Sequence, residues 1–265
     1  MKRLLFILLV FTVLIACNSV VPDPPPPPDI VYRALFVGVS DYIYSTGLDL
    51  NSPAGNTYKL EQLFKGGKKE FESITRLTNH DATKQAILDS IQACFGDADD
   101  DDVSYFYFMG HGSGDYENYP SILPADFNYT FSTYLTVHEL EEALSNIKGT
   151  KVVLLETCHA GNFIERRKLD FTQAVIDVFS GKLDTINKEG YQVLCSSAGD
   201  EYSYDSTLGS FFCRYFIEGC EGLTADNNDD RVIDMTEIYN YLLDNIGMQT
   251  AQLYPEGSIF GIYEE

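Results

Sequence analysis

The sequence predicts an α/β fold with a mostly parallel central sheet, and three observations support this. Short apolar segments typical of buried strands alternate with helical stretches from residue 31 onward, as they do in βαβ units. The chain has 265 residues, which is enough for one domain of this kind. Two motifs that contain histidine or cysteine directly follow apolar segments, and α/β proteins form their sites at the carboxyl ends of parallel strands.

Five segments have the apolar composition of buried strands: Tyr32–Val39, Ser73–Thr78, Val103–Met109, Lys151–Leu155 and Tyr191–Ser196. The segments between and after them have helical patterns, with Asp81 as an expected N-cap: Tyr58–Phe64, about Asp81–Cys94, Thr136–Ile147, Phe171–Phe179, Phe211–Ile217 and Ile233–Ile246. Because helices connect the strands, we expect the strands to run parallel.

The N-terminus has the pattern of an export signal. Lys2 and Arg3 precede the apolar stretch Leu4–Ala16, which is shorter than the ~20 residues that a membrane span needs. The segment Leu14–Cys17 (LIAC) resembles the bacterial lipobox, and this resemblance implies that Cys17 is lipidated. A plain secretory signal that is cut elsewhere is the alternative.

A proline-rich stretch follows the signal. Pro24–Pro28 is an unbroken run that favours a stiff polyproline II spacer. We therefore expect a lipoprotein signal over residues 1–17, a tether over 18–30 and a globular domain over 31–265. The expected location is outside the cytoplasm, with attached acyl chains holding the protein to a membrane of a bacterial cell envelope.

Composition excludes some classes of partner. Forty Asp and Glu against 18 Lys and Arg give a net charge of −22, which repels phosphate backbones, so we expect no binding to nucleic acid. Of the six cysteines, five remain if Cys17 is lipidated, and an odd count outside the cytoplasm leaves one thiol as a candidate reactive group. No pair has CxxC spacing, so neither a zinc site nor a redox motif is indicated.

His111 and Cys158 are the candidate catalytic residues. Each follows an apolar segment predicted to be a strand, so both are expected at the same edge of the sheet, where imidazole can activate a thiol. Glycines flank His111 and allow a substrate backbone to approach closely. The amides of Gly112 and Cys158 can then donate to a developing oxyanion.

These motifs resemble those of the caspase and metacaspase cysteine peptidases. In that family the histidine follows a strand as H-G and the cysteine follows another as D-x-C-H-x-G, with the histidine about 50 residues upstream. This chain has Tyr105–Gly112 (YFYFMGHG) and Glu156–Gly161 (ETCHAG). The resemblance covers about residues 32–262. It implies a three-layer αβα sandwich, His111 as base, Cys158 as nucleophile and Gly112 in the oxyanion hole.

The resemblance also bears on specificity. Metacaspases have an acidic residue two positions before the cysteine that helps to bind Arg or Lys at the cleavage site. Glu156 holds that position here, but Asn56 stands in the region where the family has a second acidic residue. We expect Glu156 to bind substrate and cleavage after Arg or Lys, with a structural role for Glu156 as the alternative.

Three other histidines are weaker candidates. His159 is the competing base, but it is adjacent to Cys158 in sequence, so its side chain is expected to project differently. His80, at a strand end, and His138, in a helix, are interpreted as structural.

Two acidic segments could bind a metal ion. Residues 97–102 (DADDDD) are interpreted as a solvated loop. From Asp226 to Glu237 the oxygen ligands are spaced as in an EF-hand, but Arg231 takes the place of the usual glycine and would need a positive φ. The alternative is a turn in which Asp234 and Glu237 cap the last helix. No cofactor is otherwise expected.

The sequence thus predicts a cysteine endopeptidase that acts on proteins or peptides. Basic residues at 166–168, 182 and 188 lie where the family has a processing linker, so self-cleavage there is a hypothesis. A catalytically silent caspase-like scaffold and a calcium-responsive surface protein remain as alternatives.

Overall fold

A computed structural model describes residues 29–113, 121–158, 190–198, 203–206 and 209–265. Its ten strands in this part of the chain are β1 Tyr32–Gly38, β2 Phe71–Thr78, β3 Val103–Ser113, β4 Ser121–Ile122, β5 Leu135–Thr136, β6 Thr150–Cys158, β7 Tyr191–Cys195, β8 Val232–Asp234, β9 Gln252–Tyr254 and β10 Gly261–Glu264. Its α-helices are α1 Pro53–Gly66, α2 Lys84–Phe95, α3 Val137–Ser145, α4 Phe211–Cys220 and α5 Met235–Asn245.

The central sheet has the strand order β2-β1-β3-β6-β7-β9. The first five of these strands are parallel, and β9 closes one edge antiparallel to β7. The short strands β4 and β5 extend the sheet beyond β3. The prediction of an α/β fold with a mostly parallel sheet is therefore confirmed.

Apolar side chains cover both faces of the sheet, and helices pack on each face. Leu35 and Val37 of β1 belong to the core that α2 and α3 cover. Ala34 and Phe36, which point the other way, belong to the core under α1, α4 and α5. Strands buried on both faces have continuous apolar sequences, which is why these segments could be recognised. The three layers are those of an αβα sandwich.

Several predicted boundaries are wrong. α2 begins after Thr83, whose hydroxyl accepts the amide of Ala86, whereas Asp81 lies in a preceding 3₁₀ turn. Ile233 was predicted to be helical but lies in β8, which pairs with β10. Helix α5 begins at Met235, directly after β8 ends. The sequence did not reveal β8 because its pairing with a distant segment leaves no signal in a local apolar pattern.

The predicted N-terminal signal and tether and the helix at 171–179 lie outside the described residues. Within the described part, no helix has both the length and the apolar character required to cross a membrane.

Candidate active site

Strands β3 and β6 bring the two predicted catalytic residues side by side. The two strands pair in parallel from Val103 with Thr150 to His111 with Cys158. Both strands extend past the apolar segments that predicted them, so His111 lies within β3 and Cys158 is the last residue of β6. Neighbouring strands lie about 4.8 Å apart, so the backbone of Cys158 is directly beside that of His111.

Backbone contacts from the loop after β1 orient His111. Its Nε2 lies 2.8 Å from the carbonyl oxygen of Leu48. A carbonyl oxygen only accepts, so Nε2 carries the proton and donates it. In the neutral ring, Nδ1 is then the nitrogen that can accept a proton.

Tyr42 contacts the same histidine through both its hydroxyl group and its ring. Its hydroxyl accepts the His111 amide at 2.8 Å and donates to the Leu123 carbonyl at 3.3 Å, and the Tyr42 and His111 rings are 5.4 Å apart. The Tyr42 amide in turn donates to Asp49 at 3.0 Å, which closes the loop that carries Leu48. Sequence reasoning missed both contacts: a backbone carbonyl has no sequence signature, and Tyr42 follows β1, far in sequence from His111.

The amide of Gly112 faces the β6 side of β3. Gly112 is paired with Ile122 of β4, and the Leu123 amide donates to the His111 carbonyl at 2.8 Å. This pattern makes Gly112 and Ile122 a non-hydrogen-bonded pair, so the Gly112 amide points away from β4. It therefore points toward β6, the strand that ends in Cys158.

Glu156 is buried beneath this edge. Only 1% of the residue is exposed, and its Oε2 accepts the Tyr107 hydroxyl at 2.7 Å. Its Oε1 has no hydrogen-bond partner among the described residues. Burial raises the pKa of Glu156 to about 7, although the Ser210 and Tyr107 hydroxyls favour the charged form.

Asn56 is also buried and lies in the same region. Its side-chain amide nitrogen donates to Ser210 Oγ at 2.8 Å and contacts Met109 Sδ at 3.1 Å. Met109 is the β3 residue paired with Glu156. The position at which a second carboxylate was expected is thus close to Glu156 but holds a neutral amide.

Two of the other cysteines do not compete as nucleophiles. Cys213 and Cys220 are buried, and burial raises the pKa of each thiol well above its usual value. Such thiols rarely ionise and are unreactive. His159 and the basic residues at 166–168, 182 and 188 lie outside the described residues. His80 lies in a 3₁₀ turn and His138 in α3.

The acidic segments have structural contacts. In the 97–102 segment, Asp102 is not solvated as expected: it is buried and pairs with Arg33 at 2.8 Å, because a guanidinium from β1 reaches it. Asp234 and Glu237 form a capping box at the start of α5, as the capping alternative predicts. Arg231 adopts a φ of 68°, the positive φ that an EF-hand loop would need at that position. Among the described residues, no group of three or more His, Cys, Asp or Glu is arranged to hold a metal ion.

An αβα sandwich whose adjacent strands bring a histidine and a cysteine together at one sheet edge defines a caspase-like protein. The family model of the caspase domain matches residues 32–250, which is most of the chain. The protein therefore belongs to the caspase family of cysteine peptidases, as the two motifs predicted.

Two metacaspases are similar to this chain. The chain is 25% identical over 214 residues to Metacaspase-1 of Candida albicans and 26% identical over 199 residues to Metacaspase-1 of Lodderomyces elongisporus. The matches cover 71% and 68% of this chain. They span 46% and 42% of those proteins, so the chain matches less than half of each relative.

Two solved structures have the same fold. A protein of Geobacter sulfurreducens superposes with a TM-score of 0.61 at 13% identity, over 84% of this chain and 92% of that one. Caspase-1 of Spodoptera frugiperda superposes with a TM-score of 0.57 at 12% identity, over 87% of each chain. At these identities the likeness concerns the fold alone.

Proposed function

We propose that this protein is a cysteine endopeptidase in which His111 and Cys158 form the catalytic dyad. The observation that supports this most directly is the in-register pairing of the two residues on β3 and β6. The bond from His111 Nε2 to Leu48 adds a second support, because it leaves Nδ1 to take the proton of the thiol.

In the proposed reaction, His111 Nδ1 takes the Cys158 proton and the thiolate attacks the carbonyl carbon of the cleaved peptide bond. The electron pair of the C=O bond moves to oxygen, which the amides of Gly112 and Cys158 stabilise. When the intermediate collapses, the C–N bond breaks and the leaving amine takes the proton from the imidazolium. Water, activated by His111, then hydrolyses the thioester, which releases the acid product and the thiol.

The test compares full-length wild-type protein with Cys158→Ala on fluorogenic peptides under reducing conditions. Cys94→Ala is the matched control, since Cys94 is a half-buried cysteine on α2. We expect Cys158→Ala to abolish cleavage and Cys94→Ala to retain it. Equal activity of wild type and Cys158→Ala would refute the dyad. Inactivity of the folded wild type toward peptides and unfolded protein would favour the silent scaffold.

We further propose cleavage after Arg or Lys. The support is the buried Glu156, which has one carboxylate oxygen without a hydrogen-bond partner among the described residues. A cationic side chain that enters from the sheet edge would supply that partner and the opposite charge. A peptide library that reveals no preference for basic residues would refute this part alone.

The N-terminal features complete the proposal. Lipidation of Cys17 and a stiff tether would hold the peptidase at the surface of an envelope membrane, where it meets protein or peptide substrates. Metabolic labelling with a fatty acid tests this: we expect label in the wild type and none in Cys17→Ser. Self-cleavage at 166–168, 182 or 188 is tested by prolonged incubation, in which an uncut wild-type band would contradict it.

A further inference from the structure

A carboxylate from a different part of the chain lies beside Asn56. Asp205, in the segment after β7, accepts the amides of Asn51 and Ser52 at 2.8 and 3.3 Å. It also accepts the Ser52 hydroxyl. The Asn56 side chain donates to that same hydroxyl at 3.4 Å, so one serine separates Asp205 from Asn56.

The charge of Asp205 also reaches Glu156. From Asn56 the polar contacts continue to Ser210 at 2.8 Å, and the Ser210 hydroxyl favours the charged form of Glu156. The negative charge of Asp205 acts on Glu156 in the opposite sense and raises the pKa of its carboxyl. Two carboxyl groups therefore lie on either side of Asn56, joined by a short chain of hydroxyl and amide groups.

The surroundings of Asn56 already accommodate a cation. Gly209 has a φ of +114°, and a methyl group built on it would lie 3.1 Å from Lys59 Nζ and 3.3 Å from Asn56 Oδ1. An ammonium group thus lies near Asn56, whose side chain contacts Met109, the partner of Glu156 close to the carboxyl-terminal edge of β3 and β6. This edge, at the carboxyl ends of neighbouring parallel strands, is where ligands bind in α/β folds.

We propose that Asp205 provides the second negative charge of the substrate pocket and takes over the role that Asn56 cannot perform. The inference rests on the proposed cleavage after Arg or Lys, and it names a specificity residue that the motif comparison did not. Asp205 would interact with the guanidinium or ammonium group of the residue before the cleaved bond. Glu156, which is more deeply buried, would interact with the same group at the bottom of the pocket.

The alternative is that Asp205 only caps the N-terminus of α1, so the test must separate charge from capping. Asp205→Asn removes the charge and keeps a good capping side chain, and Asp205→Glu restores the charge. Asp126→Asn is the matched control, because Asp126 accepts the amide of Lys84 at the start of α2, on the opposite face of the sheet. Each full-length variant is assayed on two peptides that differ only in arginine or citrulline before the cleaved bond.

Citrulline has the shape of arginine without its charge, so the ratio of kcat/KM for the two peptides reports the charge of the pocket. We expect Asp205→Asn to lower this ratio about tenfold, the effect of one partly screened charge, with citrulline cleavage unchanged. We expect Asp205→Glu and Asp126→Asn to keep the wild-type ratio.

Three results would contradict the proposal in distinguishable ways. If Asp205→Asn lowers cleavage of both peptides equally, Asp205 is a capping residue only. If kcat/KM for both peptides stays at the wild-type value, Asp205 neither contacts the substrate nor supports the pocket. If the wild type itself does not distinguish arginine from citrulline, the proposed basic specificity fails, whereas Cys158-dependent cleavage would still support the peptidase.

Discussion

Replacing Glu156 with glutamine should change how the stability of the protein depends on pH. The ordinary pKa of this carboxyl is 4.5, and burial raises it to about 7 in the folded protein. The difference is about two and a half pH units. At about 1.4 kcal/mol per unit, the folded state disfavours the ionised carboxyl by about 3 kcal/mol.

The direction in which stability changes with pH follows from which state, folded or unfolded, binds the proton more tightly. Below pH 4.5 the carboxyl is protonated in both states and contributes no pH dependence. Between pH 4.5 and 7 the folded state keeps the proton that the unfolded chain has lost, so the free energy of unfolding falls as pH rises. Above pH 7 the full loss of about 3 kcal/mol is present. Glutamine has no proton to lose, and Tyr107 can still donate to its carbonyl oxygen.

Urea denaturation of wild type and Glu156→Gln at pH 4.5 and pH 8, under reducing conditions, measures this effect. We expect the unfolding free energy of the variant, relative to wild type, to increase by about 3 kcal/mol between the two pH values. All other titrating groups are common to both proteins and cancel. Glu142→Gln, an exposed position on α3, controls for the loss of one negative charge. A difference that is the same at both pH values would refute the reasoning.

Three further predictions concern the loop under the histidine, the buried ion pair and the acidic loop. Tyr42→Phe removes the hydroxyl that accepts a hydrogen bond from the His111 amide, so we expect about tenfold lower kcat with little change in KM. Tyr44→Phe is the control, because Tyr44 is exposed in the same loop. A change confined to KM would contradict a positioning role for Tyr42. Asp102→Ala leaves the buried Arg33 guanidinium without its main partner, so we expect the free energy of unfolding in urea to fall by about 3 kcal/mol. Glu72, the other carboxylate paired with Arg33, is exposed, so we expect Glu72→Ala to lower it by under about 1 kcal/mol. Similar losses in the two variants would contradict this. Carboxylates of the 226–237 loop already accept hydrogen bonds from backbone amides. We therefore expect calorimetric titration with calcium to release no heat. A one-to-one binding isotherm would support the EF-hand interpretation instead.

Sequence reasoning succeeded where local pattern carries the information. The segments Tyr32–Val39 and Val103–Met109 were recognised because strands buried on both faces are continuously apolar. The family resemblance depended on short motifs around His111 and Cys158, which can be compared without a structure. The N-cap of α2 and the strand β8 were missed, because caps compete with neighbouring polar residues and strand pairing depends on distant partners.

The site was only partly predictable for the same reason. Its proposed reacting residues directly follow apolar segments, and that placement is visible in the sequence. The groups that orient and charge the site come from elsewhere in the chain: the Leu48 carbonyl, Tyr42 and Asp205 belong to two loops that follow different strands. Backbone carbonyls have no residue signature, and the place of Asp205 beside Asn56 depends on a contact with Ser52 that no local pattern shows.

The sequence by itself determined the class of the fold, the family and the identity of the candidate nucleophile and base, because apolar periodicity and short motifs are local properties of the chain. Only the tertiary structure decided that His111 and Cys158 are paired in register, that the Leu48 carbonyl accepts a hydrogen bond from His111 Nε2, and that Asp205 lies beside Asn56. These relations depend on how β1, β3, β6 and β7 are ordered in the sheet. Strand order brings together residues far apart in sequence, and it results from packing of the whole core rather than from any one segment.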